Sequence, residues 1–248
     1  MQGCWQRMPA ATRPEIKTRN GIVPLQQGTP HAMPGILAVF NDCAPEGRQH
    51  FETWYTREHL QERVGVPGFR FGRRYELLTG GDRQFCAFYE VDEPAVHNSH
   101  VYIGRLNDPT PWTRQAMTSF RNMVRTVCDV RAAAGDLIGA HAVILRADEA
   151  MLPTAAAADW VTQLALQVGI ARVELWTRAA QQTNPDTAEM KSRGKDRLAA
   201  GVVLVECLRR ADADRVMREL EDPPAALGIS GEVALGIYAL LCIYQPGR

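Results

Sequence analysis

The stretch His50-Phe51-Glu52-Thr53-Trp54-Tyr55-Thr56-Arg57-Glu58-His59-Leu60 lines up with Ala156-Ala157-Ala158-Asp159-Trp160-Val161-Thr162-Gln163-Leu164-Ala165-Leu166, pairing Trp54 with Trp160, Thr56 with Thr162 and Leu60 with Leu166. The same shift lays residues 36–39 on residues 142–145, apolar on apolar. At a somewhat longer shift Leu106, Asp108 and Pro109 fall on Leu220, Asp222 and Pro223, and Cys128 falls on Cys242. Matches in the same order along both halves read as one supersecondary unit used twice, each copy completing a core the other cannot close alone. The difference between the shifts places extra chain in the second copy. Residues 181–195, polar and rich in turn formers, are where it fits.

Within the first copy, residues 36–41 form a short β-rich run, and residues 49–63 put Phe51, Trp54, Tyr55, Glu58, His59 and Glu62 on one helical stripe. Val66-Pro67-Gly68 breaks that helix. Residues 69–78 then alternate, with Phe71, Arg73, Tyr75 and Leu77 on one face and Arg70, Gly72, Arg74 and Glu76 on the other. Thr79-Gly80-Gly81-Asp82 turns this strand into residues 84–91, which makes a hairpin. Helical segments over 94–106 and from Asp108-Pro109-Thr110-Pro111-Trp112 onward lead to a strand over 123–131. The second copy repeats the order with 141–146, 155–168, 172–177, 200–208, 212–221 and 233–244. The fold class is therefore α+β: two tandem ferredoxin-like β-α-β-β-α-β repeats, residues 34–133 and a degenerate copy over 140–246, behind a loose tail over residues 1–33. A four-stranded sheet with helices on one side has a bare face. The predicted arrangement packs the two sheets together as a pseudo-dimeric α-β barrel, with Phe71 and Tyr75 in the shared core.

The chain has 248 residues, 46% hydrophobic and 23% charged, enough apolar side chain for a real core. Its 28 basic and 28 acidic residues cancel, which removes the electrostatic footprint of a nucleic-acid binder or of a protein held on an anionic membrane. The expected partner is a small-molecule ligand. No apolar run reaches the roughly 18 residues of a membrane-spanning helix, and residues 1–33 lack the apolar core of a secretory signal. A second reading of those residues takes Met33 as the natural start. None of the six cysteines stands in a Cys-x-x-Cys pair or a zinc-type cluster, which argues against a structural metal and suits a reducing cytoplasm. Gly80-Gly81 is a turn rather than a phosphate cradle, and no nucleotide loop or Gly-x-Ser-x-Gly elbow occurs, so these motifs imply no cofactor.

The Trp54-Tyr55-x-x-x-His59-Leu60 helix, followed by Val66-Pro67-Gly68-Phe69 and the Arg73-Arg74-Tyr75 strand, resembles the dimeric α-β barrel superfamily and, within it, the EthD-like proteins. The resemblance covers residues 33–131, with a fold-level echo beyond. Members include cofactor-free monooxygenases, muconolactone-type isomerases, haem-dependent dehydratases and proteins with no assigned activity. It implies a pocket between sheet and helices for a small, often aromatic or cyclic molecule, with the matching histidine a recurrent pocket residue. The reaction does not follow from the fold.

His59 is the sharpest candidate for chemistry. It lies four residues beyond Tyr55 on the same stripe, and a partly buried imidazole that titrates near neutrality can move a proton. The competing reading is a hydrogen-bonded core histidine that orients its helix. The second copy has Val161 and Ala165 opposite Tyr55 and His59, so any polar pocket belongs to the first. Arg73 would hold a carboxylate or enolate if its strand face points inward, whereas the plainer reading pairs Arg73, Arg74 or Arg63 with Glu76, Glu90 or Asp82 on the sheet surface. Tyr75 and Tyr89 offer hydroxyls or packing, and Trp112 an aromatic wall. His97 and His100 sit three apart on an expected exposed helix face, a weak metal pair.

Three functions follow as expectations. The first is a cofactor-independent enzyme of proton transfer, isomerisation or monooxygenation on a small organic acid or aromatic, with His59 as acid/base and Tyr55, Arg73, Tyr75 and Trp112 binding substrate. The second is a non-catalytic or stress-related binding barrel, and the third haem binding through His59. A closed cavity on the order of 300 Å³ or more beside His59 would favour the small-molecule readings, and a cavity filled by aromatic side chains would sink both of them. The chain is expected to be a monomeric pseudo-dimer or a homodimer.

Overall fold

A computed structural model of the chain describes residues 34–180 and 186–247. The expected tail over residues 1–33 and the first part of the expected loop over 181–195 lie outside the described residues. Among the described residues ten strands run in chain order: β1 (Gly35–Cys43), β2 (Phe69–Gly80), β3 (Phe85–Val91), β4 (Phe120–Ala134), β5 (His141–Ala147), β6 (Ala150–Met151), β7 (Ile170–Arg178), β8 (Gly201–Cys207), β9 (Ile229–Ser230) and β10 (Val233–Tyr244). The helices are α1 (Arg48–Trp54), which continues through a π-turn (Tyr55–His59) into α2 (Leu60–Val64), then α3 (His100–Asn107), α4 (Pro111–Met117), α5 (Ala156–Ala165), α6 (Ala188–Arg193) and α7 (Arg210–Leu220).

Eight of the strands close into one antiparallel barrel in the order β1-β3-β2-β10-β5-β8-β7-β4. The strands of the N-terminal half stand together as β4-β1-β3-β2 and those of the C-terminal half as β10-β5-β8-β7. The two sets meet along two hydrogen-bonded seams, β2 with β10 and β4 with β7. The expected sheet-on-sheet contact thus takes a different form: the halves join edge to edge, and their faces look at each other across the barrel interior. Closure removes the edge strands that open sheets must protect.

Burial on both faces explains why several strands read as continuous apolar runs instead of alternating. In β1, Ile36, Ala38 and Phe40 enter the interior cluster while Leu37 and Val39 face the helices. In β5, Ala142 and Ile144 point inward while Val143 and Leu145 point outward. The interior core mixes both halves, with Phe88 of β3 edge-on to Trp176 of β7 at 4.9 Å. Outside the barrel, α1, α2, α3 and α4 cover the N-terminal sheet, and α5 and α7 the C-terminal one.

Two matched pairs from the sequence differ in environment. Leu60 is buried, while Leu166 is 74% exposed. Cys128 lies in the barrel interior, whereas Cys242 packs on the helix side of the N-terminal sheet, beyond a bulge between Leu240 and Cys242 that reverses the facing of the strand. The expected polar loop before β8 holds α6, whose first turn is capped by the Thr187 hydroxyl accepting from Met190 N.

Candidate functional site

The helix that carries His59 does not keep an α-helical phase. Leu60 N donates to Tyr55 O across the π-turn, and the wider turn lets the imidazole of His59 stack on the indole of Trp54 with ring centres 4.2 Å apart. Beyond the turn the buried positions become His59, Leu60, Arg63 and Val64. The stripe expected to continue through Glu58 and Glu62 is therefore displaced by one residue, and Arg63 is buried in place of Glu62. Glu58 turns to α4, where its carboxylate accepts from Thr110 Oγ1 at 2.6 Å and Thr113 Oγ1 at 3.1 Å. Trp54 Nε1 donates to the same Thr113 hydroxyl at 3.1 Å, which locks the turn against α4.

Between this helix and the outer face of the N-terminal sheet lies a cavity of about 30 Å³. Tyr55, His59 and Arg63 form one wall, Tyr89 and Arg125 come from the sheet, and Glu189 and Arg193 come from α6. The Tyr89 hydroxyl donates to that of Tyr55 at 3.4 Å, and Arg74 stacks its guanidinium on the Tyr55 ring at 4.3 Å while pairing with Glu52 at 2.8 Å. The volume is about a tenth of the expected ligand-sized chamber and is close to that of one water molecule. Aromatic rings fill most of the space between helix and sheet, so the chamber that the small-molecule readings called for is not open in this structure, and the remnant has a lining more apolar than polar.

The electrostatics of this remnant are cationic. Burial first, then the guanidiniums of Arg63, Arg193 and Arg74, hold the imidazole of His59 well below its usual pKa, so it is neutral at pH 7 and does not titrate near neutrality as the sequence suggested. Its Nδ1 is buried without a hydrogen-bond partner. Burial opposes the charge of Arg63, but Glu189, at 3.0 and 3.3 Å from Nη2, together with Tyr102, Tyr89 and Glu62 more than restores it. Arg63 Nη1 has no partner. Arg193 pairs with Asp196 at 2.8 Å and donates from Nε to Met123 Sδ at 3.0 Å, leaving Nη1 unpartnered. Arg125 donates to the Tyr102 hydroxyl at 2.8 Å. Burial raises the pKa of both Tyr55 and Tyr89, which keeps them as neutral donors.

Of the candidates read from the sequence, His59, Tyr55, Tyr89 and Arg63 meet in this cavity. Arg73 and Tyr75 lie on the other face of the same sheet, inside the barrel. There Arg73 pairs with Glu174 at 3.1 Å and Glu206 at 3.2 Å, and the Tyr75 hydroxyl donates to Glu206. Arg73, Glu174 and Glu206 are at most 1% exposed, so this is an ion pair between the two halves and not one on the sheet surface. Trp112 stands apart as well, edge-on to His50 at 6.1 Å along an open surface cleft. His97 and His100 separate: His97 is buried against Phe69 and Tyr102, and His100 is exposed. Among the described residues no group of three or more His, Cys, Asp or Glu side chains is placed to hold a metal ion.

No protein-family model matches the chain, and no curated protein matches it. Solved structures do. An anthrone oxidase-like protein superposes with a TM-score of 0.56 at 12% identity, covering 87% of this chain and 94% of its own. The chlorite dismutase of Candidatus Nitrospira defluvii superposes with a TM-score of 0.46 at 12% identity, covering 85% of this chain and 92% of its own. The fold is that of the dimeric α-β barrels. At such identities the likeness is one of fold alone. A haem does not fit the site as built, because the His59 ring is stacked flat on Trp54 and the space beside it is about 30 Å³. No described helix is long and apolar enough to cross a membrane.

Glu189, Arg193 and Arg125 escaped the sequence reading. The first two belong to α6, a six-residue helix in a polar stretch with no apolar period to reveal it. Arg125 alternates with inward-facing Val124 and Thr126 in β4 and reads as a surface position until the helices cover it.

Proposed function

We propose that this chain is an enzyme that moves a proton on a small organic acid, without a bound cofactor, at the cavity beside His59. It would be an EthD-like member of the superfamily whose two halves arose by duplication, and it would work as a monomer because its barrel closes within one chain. The observation that carries this reading is the neutral, buried imidazole of His59, whose Nδ1 lacks a partner beside the Tyr55 and Tyr89 hydroxyls and the Arg63 guanidinium.

Here the imidazole accepts a proton from a carbon next to a carbonyl, and the electron pair of the broken C–H bond moves onto the carbonyl oxygen. The resulting enolate oxygen is met by the Tyr55 hydroxyl, whose own oxygen accepts from Tyr89, and by Arg63. Return of the proton, to the same or an adjacent carbon, completes an exchange or an isomerisation. Tyr55 and Arg63 take the binding roles. Arg73 and Tyr75 serve the barrel interior, and Trp112 lies outside the site. The cavity admits one water as it stands, so a substrate enters by displacing side chains that close it.

The test is deuterium exchange at the methylene of phenylpyruvate in D2O, followed by NMR. The protein accelerates exchange, and His59→Gln removes that acceleration by about 10²-fold or more with little change in Tm. No acceleration by the wild type, together with a large fall in Tm for His59→Gln, would establish the imidazole as a core residue that orients its helix.

A further inference from the structure

We infer that the Glu189 carboxylate is an internal stand-in for the carboxylate of a ligand, and that Arg63 is the group for which the two compete. This rests on the reading above that the cavity takes a small molecule, and it names the class: an aromatic or cyclic carboxylate.

Three observations lead there. First, Glu189 uses Arg63 badly. Both of its oxygens lie on the single nitrogen Nη2, at 3.0 and 3.3 Å, while Nη1 is buried with no partner. A carboxylate laid across the fork would engage both nitrogens. Second, Arg193 Nη1 and His59 Nδ1, which border the same cavity, are also buried and unpartnered. Buried polar atoms are normally satisfied, and a cluster of unsatisfied ones around one small space points to a group that belongs there. Third, the lining is electropositive: Arg63, Arg125 and Arg193 border the cavity with the single carboxylate of Glu189, and Asp196 holds Arg193 from outside the lining, so an anion that replaces Glu189 enters a cationic wall. The walls contributed by Tyr55, Tyr89, Tyr102 and Phe120 suit a flat apolar body behind that anion.

Glu189 reaches the cavity from the far half of the chain. The turn between β2 and β3 is short, whereas the connection between β7 and β8 carries α6 across to the N-terminal half, where Ala188 N donates to Asn107 Oδ1 at 3.2 Å. Only this longer connection supplies the occupant. A ligand carboxylate that takes Arg63 leaves the Glu189 side chain to withdraw toward solvent.

The experiment is calorimetric titration of the full-length protein with benzoate and with benzamide, a neutral molecule of the same shape, for the wild type, Glu189→Gln and Arg63→Met. If Glu189 occupies the site in nine of ten molecules, Glu189→Gln tightens benzoate by about tenfold, because apparent affinity scales with the competent fraction. Benzamide shifts far less, and Arg63→Met loses the preference for benzoate. Equal benzoate affinity in wild type and Glu189→Gln overturns the competition while leaving the cavity a binding site. Equal tightening of both probes overturns it too, since that reports added room and not charge. Binding of neither probe to any of the three proteins overturns the competition together with the small-molecule reading beneath it. Should Glu189→Gln fold poorly, Glu189→Ala is measured in its place, with the same outcomes.

Discussion

Replacing Arg73 by methionine should cost stability and leave proton exchange at the cavity intact. The guanidinium is completely buried inside the barrel and bridges Glu174 and Glu206, which are 1% and 0% exposed. Glu174 keeps a second cation, Arg172, when Arg73 is lost. Glu206 keeps only the Tyr75 hydroxyl, so one buried carboxylate is stranded. Breaking a buried ion pair from one side costs about 3–5 kcal/mol, far more than the pair contributes when intact. Burial already raises the pKa of Glu206, and Arg73 is the largest influence that lowers it. A carboxyl whose folded pKa is raised gives its stability below its ordinary pKa and loses it as pH rises through the folded value. Removing Arg73 raises that value further, so the penalty should be larger at pH 8 than at pH 5. Adding Glu206→Gln keeps an acceptor for Tyr75, removes the stranded charge, and should recover about 1–3 kcal/mol as a coupling energy. Urea unfolding followed by tryptophan fluorescence measures all three quantities. A loss below about 1 kcal/mol, the scale of an exposed pair, equal at both pH values and unrelieved by Glu206→Gln, would show that Arg73 does not hold the halves together and would restore it as a ligand-binding candidate.

Two further expectations concern stability. Burial, and then Arg125, push the imidazole of His97 down to about 3, and burial lowers His59 in the same sense. A histidine with a depressed folded pKa supports the fold above its ordinary value of 6.5 and loses that support as pH falls toward the folded value. Tm should therefore drop between pH 6.5 and pH 4, and His97→Gln should flatten the drop; an unchanged slope would refute it. At the β2–β3 turn, Gly80 has φ +66° and a Cβ there would lie 2.6 Å from Leu235 O, so Gly80→Ala should destabilise by about 1–3 kcal/mol in urea. Gly104, in the exposed middle of α3 with nothing within 4 Å of an added Cβ, should do the opposite, gaining about 0.5–1 kcal/mol as alanine.

The strands were legible because apolar runs bounded by glycine turns carry their own punctuation, as Thr79-Gly80-Gly81-Asp82 does between β2 and β3. The barrel was expected from the two bare sheet faces, but the edge-to-edge joining that closes it was not legible, because the two seams are backbone ladders and no side-chain code marks which edges meet. Charged partners were misread for a related reason. Arg73 in β2 looks like one face of an amphipathic strand, and the acids expected to meet it on the sheet surface were Glu76, Asp82 and Glu90. Its actual partners stand more than a hundred residues away, on strands that arrive only when the barrel shuts. Arg74 and Arg63 likewise pair with Glu52 and Glu189. Helical periodicity placed Tyr55 and His59 and failed at Glu58 and Glu62, since a π-turn advances the phase without changing composition. That one displaced residue exchanges Glu62 for Arg63 at the cavity and changes the sign of the charge there.

The sign matters for the proposed chemistry. A neutral imidazole whose basicity is depressed by burial and by Arg63, Arg193 and Arg74 is a weak base. A ligand carboxylate that replaces Glu189 leaves the count of charges unchanged, and it raises the imidazole pKa by lying across both nitrogens of Arg63 inside the cavity, so the anion that binds also strengthens the base that is to act on it. Glu189 already supplies such a charge to Arg63, but from its present position it leaves Nη1 of Arg63 and Nη1 of Arg193 without a partner. Order follows from this: anion exchange at Arg63 comes first, and proton transfer to His59 second. A substrate with the same carbonyl but no carboxylate should then exchange its proton slowly even at saturation, a defect in kcat and not only in KM. Phenylpyruvate compared with benzyl methyl ketone reads this directly, and equal kcat for the two would separate the histidine from the arginines.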